Sequence, residues 1–264
     1  MKFHFYKYQA TGNDFVIVDN RAKTLAFSKE QVEKVCDRRF GVGADGLMLI
    51  EPHPEKAFDL VYYNSDGSQS LCGNGSRAAV HFARRLGLVA DKATFNAYDG
   101  THEAELLQNG LIRLKMNDVT EVRQLGEDLF INTGSPHYLK FVDALEQYPV
   151  VEQGRMIRYR DDFKPGGTNA NFLQILPDNT LFVRTYERGV ENETLSCGTG
   201  VTAAALAAHF KGLTSPVRIK ALGGDLSVEF KYNVSGQYNR QAAIFTDIFL
   251  IGPAKMVFEG DLDL

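Results

Sequence analysis

The sequence lacks the features that mark secreted, membrane-spanning and nucleic-acid-binding proteins. It contains only three cysteines, an odd number too small for a disulfide framework, which favours a reducing cytoplasm. No apolar run approaches the ~20 residues that a membrane-spanning helix needs, and the first residues alternate polar and apolar, unlike a signal peptide. With 29 basic and 33 acidic residues, the chain has no basic surplus to attract nucleic acid or an anionic membrane.

The sequence also lacks the local signatures of common metal and cofactor sites. Its six histidines form no H-x-x-x-H pair, and no C-x-x-C, P-loop or G-x-S-x-G motif occurs. The segment 41–46 does fit the pattern G-x-G-x-x-G of dinucleotide-binding proteins. That motif has to follow a strand and begin a helix, whereas here a predicted helix (28–39) precedes it and a predicted strand (47–50) follows. We therefore expect a helix-to-strand turn at this segment, and no metal and no bound cofactor in the protein.

What the sequence contains is an ordinary globular composition, with 44% hydrophobic and 23% charged residues in a chain of 264. Its most informative feature is a repeated segment. The sequence C-G-N-G-S-R-A-A begins at Cys72, and C-G-T-G-V-T-A-A begins at Cys197, 125 residues later. In each copy a Gly-Leu pair begins 15 residues after the cysteine, a distance that suits a helix of about four turns ended by glycine. A weaker echo relates residues 12–17 to residues 168–173.

This repeat, together with many strand-like segments, predicts an α+β fold with two pseudo-symmetric domains. We expect each domain to be a curved, mostly antiparallel sheet around a central helix, with the active site in the cleft between the domains. The predicted boundaries are 1–117, completed by 252–264, for the N-terminal domain and 118–251 for the C-terminal domain. The helix predicted at 201–210 is apolar nearly all round, which is typical of a helix buried on every side.

Apolar spacing also assigns individual side chains to the core or to the surface. In the helix predicted over 28–39, Cys36 and Phe40 share an apolar face, so Cys36 is interpreted as a small core residue. In the helix predicted over 73–86, the apolar stripe excludes Arg77, which we therefore expect away from the core.

The two Cys-Gly loops indicate acid/base chemistry. A thiolate is favoured at a helix N-terminus, where free backbone N–H groups and the helix dipole stabilise negative charge. Inverting a stereocentre requires a base on one face of the carbon and an acid on the other, and two groups of one type suit a reaction that runs in both directions. Cys72 and Cys197 are candidates for such a pair. Two other interpretations stay open at this point, a pair of redox thiols and two small buried residues without chemistry.

An ordered set of motifs along nearly the whole chain resembles the diaminopimelate epimerase family. The motifs are T-G-N-D-F at 11–15, G-V-G-A-D-G at 41–46, Y-N-S-D-G-S at 63–68, C-G-N-G-S-R at 72–77, G-S-P-H at 134–137, N-A-N-F at 169–172, Y-E-R-G at 186–189 and E-T-L-S-C-G-T-G at 193–200. The resemblance implies a cytoplasmic, cofactor-independent isomerase that converts LL-2,6-diaminopimelate into the meso isomer for lysine and peptidoglycan-precursor synthesis. It further implies a homodimer that acts on a small molecule and has no nucleic-acid or membrane partner.

The resemblance also implies roles for individual residues. Cys72 and Cys197 would remove and deliver the α-proton, with Glu187 and His137 as supporting polar residues around the thiols. The substrate contacts that it implies are Asn13, Asn64, Gly73, Asn74, Asn169, Glu187, Arg188, Gly198 and Thr199. Backbone N–H groups of the two Cys-Gly loops would hold the reacting carboxylate, Asn13 and Glu187 would lie near the reacting amino group, and Arg188 would bind the distal carboxylate. From the residues alone, Arg188 would instead be a surface ion-pair partner and Asn64 a turn former.

Three departures from the family pattern stand out. Ser135 occupies a position where many members carry asparagine. Gly46 occupies a position where some members carry glutamine. The loop 189–194 is one residue longer than the family pattern leads us to expect.

Three alternative functions stay open, the first with related chemistry and the other two in different classes. A proline or hydroxyproline racemase shares the two-thiol logic, but its first cysteine loop typically carries histidine where this chain has Asn74. An isomerase of the phenazine-biosynthesis type keeps the fold and lacks the paired thiols. A non-catalytic binding or thiol-redox protein would keep its main function after its thiols are alkylated.

Overall fold

The computed structural model describes residues 1–233 and 244–264. Contacts divide the chain into two compact units, residues 1–114 with 252–264 (the N-terminal unit) and residues 115–251 (the C-terminal unit). The described residues form seventeen strands and four α-helices: β1 (Lys2–Ala10), β2 (Asn13–Asp19), α1 (Lys29–Cys36), β3 (Gly46–Glu51), β4 (Asp59–Asn64), α2 (Gly73–Arg85), β5 (Lys92–Ala97), β6 (Gly100–Leu106), β7 (Ile112–Lys115), β8 (Val122–Leu125), β9 (Asp128–Asn132), β10 (Pro136–Phe141), α3 (Val150–Arg158), β11 (Asn169–Leu176), β12 (Thr180–Glu187), β13 (Asn192–Thr194), α4 (Gly198–His209), β14 (Val217–Ala221), β15 (Gly224–Tyr232), β16 (Phe245–Gly252) and β17 (Lys255–Asp263).

In the N-terminal unit, strands pair side by side in the order β17-β1-β2-β3-β4-β5-β6-β7. The pairs β2–β3 and β4–β5 are parallel, and the other neighbours in this order are antiparallel. Parallel neighbours need a crossover connection, which a helix usually supplies. Here α1 connects β2 to β3, and α2 connects β4 to β5.

The C-terminal unit repeats this plan with the order β8-β9-β10-β11-β12-β14-β15-β16. Its parallel pairs, β10–β11 and β12–β14, are again the two that helices connect, α3 and α4, and the short β13 pairs with the end of β12. The predicted α+β fold of two repeated, mostly antiparallel halves is therefore confirmed.

The predicted correspondence between residues 12–17 and residues 168–173 was wrong. Residues 12–17 belong to β2, whose counterpart in the C-terminal unit is β10, whereas residues 168–173 belong to β11, the counterpart of β3. Both segments have polar residues before an apolar run, a pattern that many strand starts share and that does not distinguish neighbouring strands.

Each unit is built around the helix that follows its Cys-Gly loop. Helix α2 contacts β1, β2, β3, β4, β6 and β17, and α4 contacts β9, β10, β11, β12, β14 and β15. As predicted for a helix that is apolar all round, every residue of α4 from Gly200 to Ala208 is buried. The predicted C-terminal glycines, Gly87 and Gly212, both have positive φ angles, so only glycine fits these turns without strain.

The core prediction was correct for Cys36 and wrong for two other residues. Cys36 is 5% exposed, and burial raises its pKa to about 12. Phe40 is 83% exposed because α1 ends at Cys36 and the chain turns before it. Arg77, expected away from the core, is completely buried, because strands surround α2 on more sides than its apolar stripe indicated.

Candidate active site

Cys72 caps the N-terminus of α2. Its extended backbone turns Sγ back towards the helix, where it accepts a hydrogen bond from the Gly75 N–H at 3.3 Å. The N–H groups of a first helical turn have no partner inside the helix, so this end favours negative charge. The same Sγ lies 3.5 Å from Asn13 Oδ1, to which a thiol donates. The structure thus brings Cys72 and Asn13 together.

Asn13 is held in one orientation by Asp45. Its Nδ2 donates to Asp45 Oδ2 at 2.6 Å, and because a carboxylate only accepts, Asn13 Oδ1 faces the opposite way, towards Cys72 and Asn74. Asp45 itself is held by Arg38 at 2.8 Å. Asp45 lies in the segment 41–46, which is the predicted helix-to-strand turn between α1 and β3. Its contact with Asn13 had no local sequence signal.

The guanidinium of Arg77 is buried next to Asn74 and Thr11. Its Nη2 donates to Asn74 Oδ1 at 2.9 Å and to Thr11 Oγ1 at 3.3 Å. Within the described residues, its Nε and Nη1 have no hydrogen-bond partner. Burial lowers the pKa of Arg77 to about 10, and its attraction to the Cys72 side chain acts in the opposite direction. Arg77 therefore keeps its positive charge at neutral pH, inside the unit that carries Cys72.

Asn64 and Gly46 lie side by side at the edge where β3 begins and β4 ends. Asn64 Nδ2 donates to the carbonyl and the hydroxyl of Ser68, at 3.2 and 3.0 Å, so Asn64 closes the turn after β4. A Cβ on Gly46 would lie 2.5 Å from Tyr62 Cε2 and 2.6 Å from the Tyr63 carbonyl oxygen. Glycine at position 46 is therefore required by the close approach of β4.

Cys197 caps α4 in the C-terminal unit and is 7% exposed. Its Sγ lies 3.6 Å from the hydroxyl of Thr199, which lies 2.9 Å from His137 Nε2. The Thr199 carbonyl accepts a hydrogen bond from the Thr133 hydroxyl at 2.8 Å. The structure thus brings together Cys197, Thr199 and His137. Thr133 is an additional residue that sequence reasoning missed.

His137, Asn169 and Glu187 lie at the same end of three neighbouring strands of the C-terminal unit, β10, β11 and β12. His137 is opposite Asn169 in the parallel pair β10–β11, and Asn169 Oδ1 accepts the backbone N–H of Arg188 at 2.8 Å, just beyond β12. Glu187 is the last residue of β12 and accepts a hydrogen bond from the Thr194 hydroxyl at 2.9 Å. Burial, together with the charge of Arg188, lowers the pKa of His137 to about 3, so its imidazole is neutral.

The guanidinium of Arg188 is half-buried and faces the backbone of Gly166. Its Nη1 lies 3.4 Å from the Gly166 carbonyl, and within residues 1–233 and 244–264 no carboxylate approaches it as an ion-pair partner. The surface ion-pair interpretation is therefore wrong for Arg188. A guanidinium group presents five donors in a planar arrangement that can bind a carboxylate in bidentate fashion.

Hydrogen bonds of Glu191 hold the loop 189–194 in its conformation. Glu191 has φ 56°, and its N–H donates to the Glu187 carbonyl at 2.8 Å. Its carboxylate accepts hydrogen bonds from Arg158 Nε at 3.1 Å and from the Tyr186 hydroxyl at 3.2 Å. Burial opposes ionisation of this carboxylate, but its hydrogen bonds outweigh that effect and lower its pKa. The loop next to Arg188 is therefore held in a turn by backbone and side-chain hydrogen bonds.

Ser135 lies in the turn between β9 and β10. Its carbonyl accepts the Thr133 N–H at 3.2 Å, which shapes the turn between β9 and β10.

None of the helices in the described ranges has the length and apolar character that a bilayer crossing requires.

Comparison with known proteins identifies the family. A model of the diaminopimelate epimerase family matches residues 5–122 and again residues 129–246. The chain belongs to the diaminopimelate epimerase family. It is 47% identical over 260 residues to the diaminopimelate epimerase of Flavobacterium psychrophilum, covering 96% of this chain and 98% of that protein. It is 42% identical over 281 residues to the enzyme of Aquifex aeolicus, covering 98% and 97%.

Solved structures of proteins with other names share the fold of this family member. A phenazine biosynthesis protein of the PhzF family from Bacillus anthracis superimposes with a TM-score of 0.74 at 14% identity, covering 100% of both chains. A hydroxyproline epimerase from Agrobacterium vitis superimposes with a TM-score of 0.70 at 13% identity, covering 100% of this chain and 93% of that one. At such identities the likeness concerns the fold alone.

Proposed function

We propose that this chain epimerises LL-2,6-diaminopimelate to meso-2,6-diaminopimelate by a two-cysteine acid/base mechanism without a cofactor. One observation carries the proposal. The family model matches both halves of the chain, and in each unit a cysteine caps the buried central helix. The substrate is that named for the relatives, which match over nearly their whole length. From the family we also infer a role in lysine and peptidoglycan-precursor synthesis.

The proposed reaction balances with two thiols. One cysteine, as the thiolate, removes the α-proton and becomes a thiol. The other, as a thiol, delivers its proton to the opposite face of the carbon and becomes the thiolate. The reverse reaction uses the same two groups in exchanged roles, which is why groups of one type suit it. The negative charge that develops on the substrate carboxylate is stabilised by N–H groups of the first helical turns, at Gly73, Asn74, Gly198 and Thr199.

The remaining polar residues are proposed to hold the two ends of the substrate. Arg188 binds the distal carboxylate, a role supported by the lack of an ion-pair partner within the described part of the chain. Asn169 supports it, because its Oδ1 holds the Arg188 backbone. Asn64 acts at the same end. Asn13 and Glu187 contact the reacting amino group.

His137 supports the thiols and, being buried and neutral, is not a free cation at the site. We also propose a cytoplasmic homodimer, on the basis of the family alone.

An exchange experiment tests the proposal. The reduced protein is incubated in D2O with LL-diaminopimelate, L-proline or trans-4-hydroxy-L-proline, and loss of the α-proton signal and appearance of the other stereoisomer are followed by NMR. We expect exchange and epimerisation with diaminopimelate only. Exchange with the prolines alone would contradict the proposed substrate and retain the mechanism, and no exchange at all would contradict both.

Matched cysteine variants separate the mechanism from general damage. Cys72→Ala and Cys197→Ala should each abolish epimerisation. Cys36→Ala is the control, because Cys36 is a buried thiol whose pKa burial raises to about 12. It should retain full epimerase activity. Equal losses in all three variants would contradict the specific roles of Cys72 and Cys197.

A further inference from the structure

A continuous set of hydrogen bonds leads from the interior of the C-terminal unit to Cys197. Asn171 is completely buried in β11, and its Nδ2 lies 3.0 Å from the Tyr138 carbonyl oxygen and 3.1 Å from His137 Nδ1. On the other side of the imidazole, His137 Nε2 lies 2.9 Å from Thr199 Oγ1. Thr199 Oγ1 lies 3.6 Å from Cys197 Sγ.

The direction of these hydrogen bonds is fixed at the Tyr138 end. A backbone carbonyl only accepts, so the atom of Asn171 that faces it must be the amide nitrogen. Asn171 Oδ1 then faces Thr185, whose hydroxyl donates to it at 2.9 Å. The second hydrogen of Asn171 Nδ2 points at His137 Nδ1, which must therefore be an unprotonated acceptor.

The acceptor role of Nδ1 determines the other side of the ring. His137 is completely buried and neutral, so its single ring proton resides on Nε2. Nε2–H donates to Thr199 Oγ1, which leaves the hydrogen of the Thr199 hydroxyl available to the neighbouring Cys197 Sγ. A hydroxyl that donates to sulfur favours the thiolate over the thiol.

We propose that Asn171 is a positioning residue that holds His137 as the Nε2–H tautomer and thereby turns the Thr199 hydroxyl towards the Cys197 thiolate. In this arrangement His137 does not take a proton from Cys197, because its acceptor nitrogen faces Asn171. The relevance of the Cys197 thiolate to catalysis rests on the proposed function. The tautomer and the reactivity of the thiol are properties of the resting protein.

Nitrogen-15 NMR of histidine-labelled protein, without substrate, tests the tautomer. The His137 signals are assigned by their absence in the His137→Gln variant. We expect Nε2 to carry the proton and Nδ1 to carry none at pH 7. Protonation of Nδ1 in the wild-type protein would overturn the proposal. Because no turnover is measured, this result does not depend on which substrate the enzyme uses.

Alkylation of Cys197 tests the consequence for the thiolate. The rate of iodoacetamide labelling at pH 7 is measured by mass spectrometry of the Cys197 peptide, with the Cys72 peptide as an internal reference. Thr199→Val should slow labelling of Cys197 about 3- to 10-fold, and Thr199→Ser, which keeps the hydroxyl, should restore it. Equal rates in the two variants would overturn the proposal.

Substitution of Asn171 tests the origin of the effect. Asn171→Asp replaces the donor to His137 Nδ1 with an acceptor, so Nδ1 should become protonated. Thr185→Val is the control: it removes the hydrogen bond to Asn171 Oδ1 and leaves Nδ2 facing Tyr138, so the tautomer should stay unchanged. An Asn171→Asp protein that retained the Nε2–H tautomer would overturn the proposal. If this variant does not fold, the Thr199 pair and the wild-type spectrum still decide.

Discussion

Arg77, which is completely buried in the helix that Cys72 caps, donates a hydrogen bond to Asn74 Oδ1 over 2.9 Å. A buried cation is costly unless an anion compensates it. A Cys72 thiolate stabilises the positive charge of Arg77. Because this attraction is mutual, the Arg77 charge also stabilises the Cys72 thiolate.

Arg77→Met should therefore lower the thiolate population of Cys72. We expect iodoacetamide labelling of Cys72 at pH 7 to slow about 3- to 10-fold. Arg84→Met in the same helix is the control, because Arg84 is exposed and pairs with Asp91. Unchanged labelling of Cys72 in Arg77→Met would show that the buried charge does not act on the thiol.

Burial of His137 should make the protein less stable as the pH falls. Its pKa is about 3 in the folded state and about 6.5 when unfolded, so between these values the unfolded state binds the extra proton. The free energy of unfolding therefore has its full value above pH 6.5 and decreases as the pH falls from 6.5 towards 3. Between pH 7.5 and 5 we expect a loss of about 2 kcal/mol in the free energy of unfolding in urea.

His137→Gln should remove that loss. The comparison between wild type and variant is needed because the pKa of His81 is also lowered by burial. Asp14 contributes nothing to this window: burial opposes its ionisation, but Arg38 and Lys7 outweigh it and lower its pKa to about 2. A variant with the same pH dependence as the wild type would refute the assignment to His137.

Gly46→Ala should destabilise the protein. The new methyl group would lie within 2.6 Å of the Tyr63 carbonyl oxygen, a backbone atom in a paired strand that has little freedom to move. We expect a loss of about 1–3 kcal/mol, measured by urea unfolding. Gly166→Ala, whose methyl group would meet only Arg188 Nη1 at 3.9 Å, should change stability by less than about 1 kcal/mol. Equal effects of the two substitutions would contradict this explanation.

Arg188→Met should weaken substrate binding. Loss of a bidentate contact to a carboxylate should raise KM for diaminopimelate about 10- to 100-fold, while labelling of Cys197 stays at the wild-type rate. Arg188→Lys should recover part of the loss, since lysine keeps the charge and loses the planar geometry. Arg160→Lys is a matched control in the same unit, because Arg160 already pairs with Asp162. An unchanged KM in Arg188→Met would refute distal carboxylate binding.

The central helices could be predicted from the sequence because their signals are local. The Cys-Gly loop, the apolar run and the terminal glycine lie within 15 residues of each other and repeat in both halves. For the same reason the turn at 41–46 was correctly separated from a dinucleotide-binding loop. The comparison of residues 12–17 with 168–173 failed because a short polar-to-apolar pattern does not determine which strand it belongs to.

The polar residues that orient the site could not be predicted in this way. Asn171 acts on His137, which lies 34 residues earlier in the sequence, and Asp45 fixes Asn13 across 32 residues. The burial of Arg77 depends on the strands that surround α2, and these come from both ends of the chain. Such contacts follow from strand pairing, which residue spacing along the chain does not encode.

Strand β17 pairs with β1 along the edge of the N-terminal unit, with Phe3 opposite Leu262 and Phe5 opposite Gly260. The last strand of the N-terminal unit is therefore synthesised only after the whole C-terminal unit, and the N-terminal sheet cannot be completed before that point. Until β17 is available, the edge of β1 that it covers is unpaired and open to pairing with other chains.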